Sequence, residues 1–96
     1  MITYTRKALI AQDTLTPAEQ SRVEATVRSL DQPGKDFNRS RSIKKLTLPG
    51  EVYIARAGES LRVIFEVSPE GSRILDIVRR ERLVQFHRSL VAEADA

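Results

Sequence analysis

The sequence predicts an α+β domain in which a strand and two helices precede a three-strand antiparallel meander, with the helices on one face of the sheet. Two observations carry this prediction. Apolar residues recur at helical spacing in the first third of the chain, and alternating apolar runs with hairpin-length joints fill the second half. The 96 residues have the length of one domain, so we expect a single domain over 1–96.

The first two elements are a strand and a short helix. Residues 2–5, ITYT, are β-branched or aromatic, which favours a strand. Residues 6–13, RKALIAQD, follow as a short helix.

The second helix is predicted over 17–30 by its start signal and its apolar stripe. Thr16 is the N-cap residue of a capping box, TPAE, in which Glu19 reaches back to the cap and a proline occupies the first helical position. The stripe consists of Val23, Val27 and Leu30. The following Gln-Pro-Gly ends the helix.

The second half contains the meander. Residues 35–50 are predicted to be a polar, basic connection, with at most one turn of structure at IKKL. The three strands are 52–57, 61–67 and 73–78, and GES and SPEGS between them suit hairpins. The last segment, ERLVQFHRSLVAEA, has Leu83, Phe86 and Leu90 at helical spacing and predicts a C-terminal helix, although residues 79–87 could instead stay extended along the sheet edge.

Charge and composition narrow the classes of function. The net charge is +3, and the basic residues cluster at 35–45 and 79–82. Such clusters indicate either a polyanionic partner or a solvated loop. The absence of cysteine excludes disulfides and fits a reducing interior. Because there is no signal-peptide run and no stretch of roughly 18 apolar residues, we expect a soluble cytoplasmic protein without a membrane partner.

Arg62 lies within a strand that is otherwise apolar. Alternation places Leu61, Val63, Phe65 and Val67 on one face, and Arg62 on the other with Ile64 and Glu66. Symmetric closure of the second hairpin pairs 68 with 72, 66 with 74, 64 with 76 and 62 with 78. The face of Arg62 then also holds Ile74, Asp76, Val78 and Arg80.

The arginines on that face indicate an anion site. Arg80 becomes a diagonal neighbour of Arg62, about 7–8 Å away by strand geometry, and Arg56 lies across the first hairpin. Guanidinium groups that converge repel one another unless an anion lies between them, and their planar forks suit a phosphate. The alternative is that Asp76 neutralises Arg62 or Arg80 on a wet surface.

Several familiar sites are not indicated by the sequence. The four glycines are scattered rather than gathered in a phosphate-binding loop. One histidine without cysteine does not make a usual zinc site, and no serine has the setting of a nucleophile elbow. We therefore expect no metal and no cofactor.

The order of elements and the spacing of the arginines resemble the RelE/ParE superfamily of small bacterial toxins. The matching stretches are VYIARAGESLRVIFEV and RILDIVRRERLVQFH, in which Arg56, Arg62 and Arg80 stand at the positions of the family's arginines. The RelE branch implies cleavage of mRNA in the ribosomal decoding site by attack of a 2′-hydroxyl on the adjacent phosphorus, without metal. The implied partners are a cognate antitoxin, the ribosome and mRNA. The ParE branch implies poisoning of DNA gyrase without cleavage. A third alternative is a catalytically silent relative that binds RNA or a partner.

The resemblance also implies RNA contacts and a proton carrier. The implied RNA-binding residues are Lys35, Arg39, Arg41, Lys44, Lys45, Arg79, Arg82 and Phe86. RelE-type members often have lysines where this chain has Ala55 and Ala57, and a tyrosine where it has Phe86. His87, one residue further on, is either the acid or base of the reaction or a partly packed histidine without chemistry.

Two more residues could carry protons. They are Tyr53, whose strand parity makes it a core aromatic, and Glu51, which we expect to cap a loop.

Overall fold

Two helices pack against one face of a five-stranded sheet whose order is β1-β5-β4-β3-β2. The structure, a computed structural model, describes residues 1–31 and 42–82. Its elements are β1 (Ile2–Tyr4), α1 (Arg6–Asp13), α2 (Pro17–Leu30), β2 (Ile43–Lys45), β3 (Val52–Ala57), β4 (Leu61–Ser68) and β5 (Gly71–Arg79). β1 runs parallel to β5, and the other pairs are antiparallel. The α+β prediction, with both helices on one sheet face, is confirmed.

Both helices begin at threonine caps. The Thr5 hydroxyl accepts a hydrogen bond from the Ala8 N–H at 3.1 Å and donates to the Leu75 carbonyl at 2.8 Å, which ties the start of α1 to β5. At α2 the predicted capping box is complete, because the Glu19 N–H donates to Thr16 Oγ1 at 3.2 Å and the Thr16 N–H donates to Glu19 Oε1 at 3.0 Å. These bonds satisfy N–H groups that the first helical turn leaves without partners.

The core lies between the helices and the sheet. Its buried members come from both helices and from β2 to β5: Ala8, Val23, Val27, Leu30, Ile43, Tyr53, Ala55, Ala57, Leu61, Val63, Phe65, Ile74 and Ile77. Leu61, Val63 and Phe65 are at most 1% exposed, which confirms the predicted core face of β4. Burial of side chains of this size stabilises a domain by roughly 1.5–3 kcal/mol each.

The opposite face of the sheet, here the distal face, carries a second apolar cluster. Its buried residues are Leu46, Val52, Ile54 and Ile64, and Leu48, Leu75 and Val78 pack against them. The arginines of β3 and β4 lie at one end of this cluster.

The predicted register of the second hairpin is correct at one end and wrong at the other. Arg62 pairs with Val78 and Ile64 with Asp76 as expected, but Glu66 pairs with Arg73 and Ser68 with Gly71. The loop is one residue shorter than assumed, and a bulge opposite the Ile64–Phe65 step compensates. The bulge turns Ile74 into the helix-facing core, so its predicted place beside Arg62 is wrong.

The connection after α2 contains a strand that the sequence did not indicate. Ile43–Lys45 forms β2 at the edge of the sheet, paired with β3, where we expected at most one turn. Residues 80–82 are helical, so the extended alternative fails for them. The rest of the predicted C-terminal helix lies outside the described residues.

Candidate anion-binding site

Arg56 and Arg62 lie directly opposite each other on the distal face, because β3 and β4 pair in that register. The backbone N–H of Arg56 donates to the Ser42 carbonyl at 2.8 Å and therefore points away from β4. The two arginines thus form a non-hydrogen-bonded cross-strand pair, the kind in which side chains approach most closely, with Cα atoms about 4.5 Å apart. Like charges in this position destabilise a sheet.

Arg80 completes a group of three arginines at the end of β5. It follows Val78, the partner of Arg62, by two residues, and its N–H donates to the Ser60 carbonyl in the β3–β4 turn at 2.8 Å. Burial lowers the pKa of Arg62, and the charges of Arg56 and Arg80 lower it further. The structure thus brings together the three arginines that the sequence placed on one face.

The β3–β4 turn anchors one end of the Arg62 guanidinium. Its Nη1 atom lies 2.7 Å from the Leu61 carbonyl oxygen and 3.2 Å from those of Gly58 and Glu59. The neighbouring Gly58 has φ +76°, a left-handed conformation that glycine adopts without strain. Three backbone acceptors therefore hold the Arg62 cation in place against the repulsion of its two neighbours.

Asp76 does not neutralise the arginines. Its Oδ2 atom is 3.3 Å from Lys7 Nζ on α1, and its Oδ1 accepts a hydrogen bond from the Ile77 N–H at 2.8 Å. Among residues 1–31 and 42–82, no carboxylate forms an ion pair with any of the three arginines. The alternative, in which Asp76 neutralises Arg62 or Arg80 on a solvated surface, is therefore wrong.

The remaining predicted basic residues divide into three groups. Lys44 is exposed and shares the distal face with Ile54, one diagonal step from Arg56. Lys45 is paired with Glu51 at 3.2 Å, and Arg79 with Glu19 at 2.8 Å, while Arg82 is exposed without an ion pair to a described residue. The predicted site residues outside the described part of the chain are Lys35, Arg39, Arg41, Phe86 and His87.

Tyr53 and Glu51 lie apart from the arginines. Tyr53 is 5% exposed, belongs to the helix-facing core and stacks on Phe65 with ring centroids 5.6 Å apart, which confirms its prediction as a core aromatic. Its hydroxyl donates to Glu51 Oε2 at 2.8 Å. This bond and Lys45 lower the pKa of Glu51, so this carboxylate is ionised and engaged in local contacts.

Sequence reasoning missed Arg22, which also reaches the β3–β4 turn. A Cβ atom added to Gly58 would lie 3.2 Å from Arg22 Cδ and 3.9 Å from Nε and Nη1. No local signal could have found this contact, because it joins the exposed side of α2 to a turn 36 residues later. A fourth guanidinium therefore lies beside the β3–β4 turn.

Residues 1–31 and 42–82 contain neither a group of metal ligands nor a helix that could span a membrane. No three acidic, histidine or cysteine side chains there are grouped so as to hold a metal ion. Neither described helix has the length and apolar character to cross a membrane.

Comparison with known proteins gives structural likeness without sequence likeness. No family model and no curated protein matches the chain. The RelB–RelE antitoxin–toxin complex of Methanococcus jannaschii contains a chain that superposes with a TM-score of 0.67 at 14% identity, covering 88% of this chain and 96% of that one.

Two more toxin–antitoxin complexes resemble it. The RelE–RelB complex of Pyrococcus horikoshii gives a TM-score of 0.64 at 21% identity over 84% of this chain and 94% of that one. The RelBE2 complex of Mycobacterium tuberculosis gives 0.60 at 21% identity over 83% and 96%. The chain thus has the RelE-like fold, as its sequence predicted.

Proposed function

We propose that this chain is the toxin of a type II toxin–antitoxin pair and that it cleaves ribosome-bound mRNA in the cytoplasm, without a metal or cofactor. One observation carries the proposal: Arg56, Arg62 and Arg80 converge on one sheet face without a paired carboxylate among the described residues. Three neighbouring cations suit an anion that carries more than one negative charge. The RelE-like fold supports the same reading.

The chemistry that suits this site is transesterification of the RNA backbone. The 2′-oxygen forms a bond to the adjacent phosphorus, the bond from phosphorus to the 5′-oxygen breaks, and a cyclic phosphate and a 5′-hydroxyl result. The pentavalent intermediate carries more negative charge than the phosphodiester. Fixed cations aimed at that charge are often the largest contribution to catalysis. Arg62, held by the turn, would face the phosphorane, with Arg56 and Arg80 on either side.

Two protons must also move. The 2′-hydroxyl loses one to a base, and the 5′-oxygen gains one from an acid, each transfer being worth roughly 10²–10⁴ in rate. We propose His87 for one of these steps, since its ordinary pKa of about 6.5 suits proton transfer. Lys44 and Arg82, both exposed, and the basic residues of 35–45 would bind RNA phosphates, which position the substrate without reading its sequence.

The proposed protein partner is a cognate antitoxin. The similar structures are complexes of toxins with antitoxins. An antitoxin segment with carboxylates would supply the anions that the arginines do not find among residues 1–31 and 42–82. Such a segment could fold on binding and neutralise the site at the same time.

Primer extension on a reporter mRNA after induced expression tests the proposal. We expect cuts that require ribosomes in the parent and their loss in Arg62→Ala and Arg80→Ala, because each change removes a cation from the phosphorane. The matched control is Arg73→Ala, an exposed arginine at the other end of β5, which should cut like the parent. Cuts of full strength in both site variants would refute the arginine site. Loss of cuts in His87→Ala would identify His87 as the residue that carries one of the two protons.

A second function has one observation in its favour. Tyr53 and Glu51, the candidate proton carriers within the described residues, are bonded to each other away from the arginines. A ParE-like gyrase poison needs the scaffold and a partner surface but no proton transfer. Growth arrest without mRNA cuts, together with inhibition of gyrase supercoiling by the purified protein, would replace the first proposal by this one.

A further inference from the structure

The β3–β4 turn occupies one end of the Arg62 guanidinium, and no side chain or carbonyl in the described part of the chain occupies the other end. An arginine has five N–H donors in a rigid planar fork, two of them on Nη1. Both Nη1 hydrogens point at the turn, where the carbonyls of Gly58, Glu59 and Leu61 accept them. Only the edge formed by Nε and Nη2 is left for two parallel hydrogen bonds to an oxyanion.

The hydrogen bonds between Arg62 and the turn carbonyls act against the repulsion between the three arginines. Arg56 lies directly across from Arg62, and Arg80 lies on its other side. In the absence of an anion, repulsion from both would drive a freely rotating Arg62 side chain away from the sheet. The turn carbonyls hold it, so the cation is already in position when an anion arrives, and little ordering remains to be done on binding.

The position of these carbonyls depends on Gly58. Its φ of +76° sets the direction in which its own carbonyl and the next one point, and side chains with a Cβ adopt this conformation at a cost. Alanine at this position would strain the turn and move the acceptors. Nothing in the sequence marks Gly58 as more than a hairpin glycine.

We propose that Gly58 is a positioning residue of the anion site, which acts by fixing the turn carbonyls so that Arg62 receives an oxyanion through its Nε–Nη2 edge alone. The inference rests on the anion-binding part of the proposed function and specifies how the central cation is presented. It does not depend on whether the bound phosphate is then cleaved.

The structure provides a matched control for Gly58. Gly50 also has a left-handed backbone, with φ +88°, and a Cβ there would meet only Glu66 Oε2, at 3.8 Å. Alanine at either position places a Cβ on a left-handed backbone, and at Gly58 it also displaces the flexible Arg22 side chain, whose Cδ would lie 3.2 Å away. Of the two glycines, only Gly58 has a carbonyl that accepts a hydrogen bond from Arg62. Gly58→Asn is the conservative variant, since asparagine tolerates the left-handed region and the nearest atom to its Cβ, Arg22 Cδ, belongs to a flexible side chain.

The test is a titration of the full-length, ¹⁵N-labelled protein with inorganic phosphate, followed through the arginine side-chain NMR signals. Arg62→Lys assigns the Arg62 signals by their disappearance. In the parent we expect separate Nη1 and Nη2 signals, since anchoring slows rotation, and phosphate should shift Nε and Nη2 but leave Nη1 in place. Gly58→Ala should weaken phosphate binding about tenfold, the scale of a lost hydrogen bond to a charged group. Gly50→Ala and Gly58→Asn should bind like the parent.

Two results would overturn the inference. One is a parent titration in which the Arg62 signals do not move or in which Nη1 moves with the others, a readout that does not depend on whether Gly58→Ala folds. The other is equal phosphate affinity in Gly58→Ala and Gly50→Ala. If phosphate binds as described while mRNA is not cut, only the proposed function fails. If Gly58→Ala binds phosphate and cuts mRNA like the parent, only the role of Gly58 fails.

Discussion

At the scale of single residues, the cross-strand pair of Arg56 and Arg62 is the most informative contact in the molecule. Strand alternation together with the assumed pairing of residue 62 with residue 78 placed Arg62 and Arg80 on one face, and β4 and β5 do pair in that register. Ile74 was misplaced by the same argument, because a bulge interrupts the period within β5. Arg22 was missed, since contacts between a helix and a distant turn leave no periodic signal.

Removing the charge of Arg56 should stabilise the protein. Arg56→Gln keeps most of the side-chain length but ends the repulsion of Arg62, and we expect the free energy of unfolding to rise by about 0.5 kcal/mol at low salt. The gain should shrink as salt screens the charges. Urea unfolding at two salt concentrations measures it, with Arg73→Gln as the control. A loss of stability at low salt would show that Arg56 has a favourable partner.

At the scale of elements, the sequence signals that mark a helix start predicted the structure correctly, whereas strand pairing was predicted only in part. The capping box of α2 is readable because its two hydrogen bonds join residues three apart. β2 could not be read from its sequence, since IKK has one apolar residue and owes its extended form to pairing with β3. The symmetric hairpin was a reasonable assumption that failed because the turn closes between Ser68 and Gly71.

The capping box gives a stability prediction for α2. Thr16→Ala removes the acceptor for the Glu19 N–H and should lower the free energy of unfolding by about 1 kcal/mol. Ser21→Ala, a change at an exposed position inside the same helix, is the control and should be neutral or slightly stabilising. Thermal unfolding followed by circular dichroism compares the two variants. Equal melting temperatures would mean that the cap contributes nothing.

At the scale of the whole molecule, Glu19 and Arg79 join the start of α2 to the end of β5, 60 residues apart. The Arg79 guanidinium donates to both carboxylate oxygens, at 2.8 and 3.4 Å. The hydrogen bonds from Arg79 and from the Thr16 backbone lower the pKa of Glu19 to about 2. Local sequence signals placed Glu19 in the helix cap, and the family resemblance implied RNA contact for Arg79. Only the folded chain brings the two side chains into contact.

This contact predicts a particular loss of stability in acid. Because the pKa of Glu19 falls from its ordinary 4.5 to about 2 on folding, its stabilising effect is complete above pH 5 and is lost as the pH falls toward 2. Glu19→Gln should therefore lower the melting temperature at pH 7, and the difference from the parent should close between pH 5 and 2. Glu70→Gln in the β4–β5 turn is the control. A difference that does not change with pH would mean that the charge of Glu19 is irrelevant.

The three arginines, which form no ion pair with a carboxylate in the described part of the chain, also decide which buffers suit the protein. An anion that binds only the folded state stabilises it by mass action, so phosphate or sulfate in a buffer should raise the melting temperature. The same ions would compete with the substrate at the proposed site. A thermal-shift screen and an activity screen should therefore rank buffers in opposite orders. The buffer that gives the highest melting temperature should also give the lowest cleavage activity.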